Sequence, residues 1–82
     1  MSKAVLIEIS GWFGAIAILA AYLLNSLGIL DSLNLGYQML NLFGAGAISL
    51  SSISKKDIPA GTLNVIWTII AAIAILKIIL KF

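Results

Sequence analysis

Neither cysteine nor histidine occurs in this chain of 82 residues, which removes disulfides, thiolate chemistry and the commonest metal ligand together. Arginine is absent too, and the net charge of +2 rests on five lysines, too thinly spread for a phosphate-binding stripe. Nucleic acid is therefore not an expected partner. The only carboxylates are Glu8, Asp31 and Asp57, each near the end of a different hydrophobic segment. A carboxylate pair for acid–base work, or a carboxylate cage for a cation, is not built from such a spacing. No enzyme, no cofactor and no metal site is expected. Proline occurs once, at Pro59, so nothing interrupts the apolar segments before it.

What fills the chain instead is hydrocarbon. Apolar types make up 62% of residues and charged types 10%, against roughly half and a quarter in an ordinary globular domain. Eight charged side chains cannot cover the surface of a water-soluble core, so lipid is the expected solvent. The fold class that follows is all-α, an integral membrane bundle of three helices forming a single domain over residues 1–82. The helices are placed near residues 4–24, 32–53 and 58–81, each long enough to cross a hydrocarbon layer of about 30 Å at about 1.5 Å per residue. The first has too long an apolar run, and too many hydrophobic segments after it, to be read as a cleaved secretory signal. Asn25, Ser26 and Gly28 supply the first turn, and Asp31 or Ser32 is the expected cap of the second helix. Asp57 is the expected cap of the third, with Pro59 in its first turn.

Three crossings put Lys3, Lys55 and Lys56 on one face and Lys77 and Lys81 on the other. The positive-inside tendency then favours a cytoplasmic N-terminus. Lys77 and Lys81 read as side chains that snorkel to the interface.

Polar and small residues mark packed faces in lipid better than leucines do. Three- and four-residue steps collect Glu8, Trp12, Ala15, Leu19 and Tyr22 on the first helix. They collect Tyr37, Asn41, Gly44, Ile48 and Ser51 on the second, and Asn64, Thr68, Ala71 and Ile75 on the third, with Trp67 at the border. Two readings stay open. The stripes either hold the helices together through interhelical hydrogen bonds and close backbone approach, or converge on a polar cavity near the midplane. On the second reading Asn64, Asn41, Tyr37, Trp67 and Trp12 are the substrate-binding candidates, the aromatic faces suiting a sugar ring or a cation. Asn41 lies roughly 4.5 Å from the centre of its helix and Asn64 roughly 9 Å from the centre of its own. Glu8 is a proton-coupling candidate, or else a solvated or lysine-paired end group, and a hydrogen bond between it and Asn64 or Thr68 is geometrically reasonable.

The strings AYLLNSLG, YQMLNLFGAGAISL and KKDIPAGTLNVIW, in that order, resemble a family of small bacterial three-span proteins of unknown function that are sometimes labelled permease-like. The resemblance covers nearly the whole chain and implies a multi-pass protein of the bacterial inner membrane. More distantly, the chain resembles the SemiSWEET half-transporters of the PQ-loop group, which pair two three-helix units around a sugar pathway. That resemblance implies a symmetric homodimer and places Asn64 where those proteins have a pocket asparagine. It departs from them in the first helix, where residues 4–24 hold no proline for a Pro-Gln hinge.

The leading expectation is a half-transporter that dimerises to bind or move a small polar solute, since three helices alone hardly enclose a solute-sized cavity. The alternative is a structural or regulatory membrane subunit acting through helix–helix association. A pore-forming lysis protein is a minor third, because the chain has no lysine-rich tail.

Overall fold

The computed structural model describes residues 2–81 and contains three helices, α1 (Lys3–Ser26), α2 (Leu35–Ser54) and α3 (Ile58–Leu80), with no strand among the described residues. Each helix starts on a side-chain oxygen that takes an otherwise orphaned amide. Ser2 accepts from Val5 N at 3.2 Å, Asn34 from Tyr37 N at 3.2 Å and Asp57 from Ala60 N at 3.4 Å. The second of these corrects the sequence reading. Asp31 does not cap α2, because its side chain accepts from Leu33 N at 3.0 Å and its carbonyl from Asn34 N at 2.9 Å, closing a turn of its own. Short polar side chains favour such local turns over helix, and α2 therefore starts three residues later than expected, at Leu35.

Two helices end in the same way. After α1, Gly28 is left-handed at φ 77°, Ile29 N donates to Leu24 O at 2.9 Å and Gly28 N to Asn25 O at 3.0 Å. After α2, Asp57 N donates to Ser52 O at 2.8 Å and Lys56 N to Ile53 O at 3.0 Å. This paired pattern is the Schellman motif. Its left-handed position is glycine in the first case, whereas in the second it is Lys56, at φ 62°, where a Cβ crowds the carbonyl. Asp57 thus closes α2 with its amide and opens α3 with its carboxylate, holding the connection to a few residues.

The helices lie side by side rather than as a closed bundle. α2 packs on both neighbours, while no Cα of α1 comes within 8 Å of one in α3. The bond between Glu8 and Asn64 or Thr68 is therefore absent, since α2 stands between the two helices. α2 takes this place because it is small-sided on two faces. Toward α1, a Cβ added to Gly14 would collide with the Gly44 carbonyl oxygen, and Ser10 Oγ donates to Ala47 O at 3.0 Å. Toward α3, Asn41 meets Trp67, and Ser52 and Ile53 lie against Gly61.

Burial is inverted relative to a water-soluble domain. Among the described residues the buried apolar side chains are all alanine, Ala21, Ala45 and Ala71, while Phe13, Ile16, Leu19, Phe43, Leu50 and Ile70 are exposed. α1 and α3 are long and apolar enough to cross a membrane by length and composition. α2 falls short of that measure because it carries Gln38, Asn41 and the serines near its end. The most polar helix is the one packed from both sides.

Two stability tests follow. Gly14→Ala pushes a methyl into a backbone carbonyl that cannot rotate away, and should cost about 1–3 kcal/mol in detergent unfolding. Lys56→Gly removes the left-handed penalty and should gain about 1 kcal/mol in the same assay.

A candidate solute site between α1 and α3

The α1 stripe that meets α2 is Ile7, Gly11, Gly14, Ile18 and Ala21, in steps of three and four. Gly14 and Ala21 are fully packed, and Gly11, Gly14 and Ile18 lie against Ser51 and Gly44. The stripe expected from sequence, Glu8, Trp12, Ala15, Leu19 and Tyr22, is one residue further round, about 100°. Its large members consequently project away from α2, with Trp12 69% and Tyr22 67% exposed. On α2 and α3 the expected stripes do face inward: Asn41, Gly44, Ser51 and Ala71 are buried, and Asn64, Thr68 and Ile75 are half-buried.

Asn41 is 5% exposed and bonded at both ends of its amide. Its amide donates to Tyr37 O at 3.0 Å and its carbonyl accepts from the Trp67 indole at 3.1 Å, which joins α2 to α3. Tyr37, Asn41 and Trp67 thereby line one hollow of about 200 Å³ on the α2–α3 seam. Asn64 is not part of it. It lies half-buried with its amide donating to Ala60 O at 2.9 Å in its own helix, and Thr68 Oγ1 donates in turn to the Asn64 carbonyl at 2.7 Å. Trp12 and Glu8 line a second hollow of about 350 Å³ on the α1–α2 seam, with Ser51, Ser52 and Lys55. Glu8 forms an ion pair with Lys55 there, each side chain about half exposed.

Tyr37, Asn41, Ile48, Ser52 and Lys55 follow one another on α2 at steps of three, four and seven residues, so both hollows open on the same side of that helix. α2 is the floor of a trough whose walls are α1, with Trp12 and Tyr22, and α3, with Trp67. The candidates named from sequence, Asn64 apart, are gathered along this trough in two groups rather than at one point. The residues missed from sequence are Ser52 and Lys55, and Ser51 as a wall rather than a packing residue. An antiparallel α1–α2 pair whose connection is centred near Asp31 brings residue 8 to the level of residue 55, so the pairing follows from the length of the connection.

A model of an uncharacterised protein family matches residues 7–81. The chain belongs to that family. The match brings no activity with it, and neither the permease-like label nor kinship with half-transporters follows from it. No curated protein and no solved structure matches.

The Asn41–Trp67 contact yields a direct test. Trp67→Phe keeps the ring but strands a buried carbonyl, so stability in detergent should fall by about 1 kcal/mol or somewhat more. An unchanged melting temperature would mean that the two helices do not depend on this bond.

Proposed function

We propose that the chain is a three-span integral membrane protein and that two copies close their troughs upon each other to form a chamber that binds or moves a small polar solute. Lipid as the solvent is supported by the inverted burial. Exposing this many large apolar side chains to water would cost about 25 cal/mol per Å², whereas hydrocarbon accepts them freely. α2, polar for a spanning helix, is tolerated because both flanks shelter it and its buried amide is paired. Lys3, Lys55 and Lys56 gather at one end of the molecule, which on the positive-inside tendency is the cytoplasmic one.

The observation that carries the solute reading is the gap between α1 and α3. A polar-floored, aromatic-walled trough that no part of the described chain fills needs a cover, and a two-fold related copy supplies the same walls from the other side. A structural or regulatory subunit is the second reading, and one feature favours it: Asn41 uses an N–H and its carbonyl oxygen on bonds within the protomer, one of which holds α3 to α2.

The absence of cysteine makes the test clean. Leu19→Cys, on the trough side of α1, should cross-link to a dimer under oxidation in liposomes, and Phe43→Cys, on the far side of α2, should not. The opposite pattern would move the interface away from the trough. Asn64, which lies outside both hollows, is tested separately with Asn64→Ala, because its hydrogen bond stays within α3 and its removal should cost less than about 1 kcal/mol. Lost uptake with unchanged melting assigns Asn64 to the solute. Early melting, with no solute dependent on Asn64, removes it from the path.

A further inference from the structure

The hollow at the α1–α2 end of the trough holds polar groups that packing does not explain. Ser49 returns its hydroxyl to Ala45 O at 2.7 Å, the usual resort of a serine within a helix. Among the described residues no such bond ties down Ser51 or Ser52, although they are only 4% and 9% exposed. No buried side-chain oxygen or nitrogen is shut away without a partner, so both hydroxyls open onto the hollow they line. Gly11 keeps one of them uncovered: a Cβ there would lie 2.7 Å from Ser51 Oγ. Glu8 stands at the mouth one helical turn away, the exposed Trp12 forms a side wall, and the Lys55 ammonium rests on the Glu8 carboxylate.

We propose that this hollow binds the ammonium group of a small organic amine, with Glu8 as counter-ion, Ser51 and Ser52 as hydroxyl acceptors and Trp12 as the aromatic wall, and that Lys55 is the group the ligand displaces. An –NH3⁺ group carries three donors and no acceptor, which matches one carboxylate and two hydroxyls. Lys55 already shows that Glu8 accepts an ammonium in this position. A divalent metal ion would need six or more oxygens, and an anion would meet a lysine already neutralised by Glu8. The indole face adds attraction for an organic cation that a compact hydrated ion does not exploit. An exposed ion pair is held weakly, so Lys55 acts as an internal competitor rather than a lock.

The inference rests on the chamber proposed above for any movement of the solute, but binding requires one protomer only. The test is a titration of the full chain in lipid nanodiscs with ethylammonium chloride, at ionic strength fixed with sodium chloride, followed by saturation-transfer NMR. Saturable binding is expected, weakened at least tenfold by Glu8→Gln and several-fold by Ser51→Ala, and strengthened several-fold by Lys55→Met. Ser51→Ala leaves the ion pair in place and keeps the test decisive should Glu8→Gln fold poorly. Loss of affinity in Lys55→Met, indifference to both Glu8→Gln and Ser51→Ala, or equal competition by sodium would overturn the proposal. A Leu19→Cys dimer that forms while no ammonium binds overturns the subsite and leaves the chamber standing, whereas binding without a dimer does the reverse.

Discussion

The whole arrangement turns on how closely α1 approaches α2 at Gly14 and Gly44. A Cβ at Gly44 would stand 2.9 Å from the Gly14 carbonyl oxygen and 2.8 Å from Ile18, so the two backbones meet with nothing larger than hydrogen between them. In the lipid proposed above there is no gain from hiding apolar surface, and helices associate through dispersion and hydrogen bonding, both of which improve steeply as backbones close. The Ser10 to Ala47 bond depends on that approach, and so do the positions of Ser51 against Gly11 and of Lys55 beside Glu8. Two glycines therefore fix the register of the α1–α2 pair, and the register decides which polar groups share the end hollow.

On the other flank of α2 the contact is of a different kind. Ala45 and Ala71 are buried, Gly61 lies against Ile53, and a single side-chain bond joins the two helices, from Trp67 to Asn41. A buried amide in a low-dielectric setting is costly unpaired, so this bond specifies rotation of α3 more than it adds strength. It also turns the indole to the trough side, where 46% of Trp67 remains exposed. Asn41 thus sets where the indole stands along the trough.

The three helices were legible in the sequence because length, apolar runs, the Asp57 cap and Pro59 in the first turn agree with one another. The start of α2 was not, since Asp31, Ser32 and Asn34 are all good caps and only local turn formation by Asp31 decides among them. The inward faces of α2 and α3 could be read from their polar residues, Asn41 and Asn64, which stand on the packed sides of otherwise apolar helices. On α1 the same rule misled. Glu8, Trp12 and Tyr22 are polar or amphipathic, yet an end-lying carboxylate and aromatic rings tolerate exposure, and the packed stripe is the less conspicuous one carrying Gly11 and Gly14. Glycine spacing, not polarity, was the informative signal there. Nor does a sequence disclose that α1 and α3 stay apart, because that depends on the angle between two small faces of α2.

That separation has an electrostatic consequence. Were α1 and α3 in contact, Glu8 would be enclosed beside Thr68 and Asn64, away from any lysine, and its charge would be expensive to keep. With α2 between them, Glu8 instead reaches the last turn of α2, where the carbonyl ends of the helix favour a cation and Lys55 provides one. The pair neutralises itself at the mouth of the trough while both partners keep water. One turn along α2 from Lys55, the hollow is lined by the hydroxyl-bearing Ser51 and Ser52. The trough therefore passes from charge through hydroxyl to aromatic and apolar walls over a short depth, an order set by the antiparallel register of α1 and α2 and by the bond that holds Trp67 on Asn41.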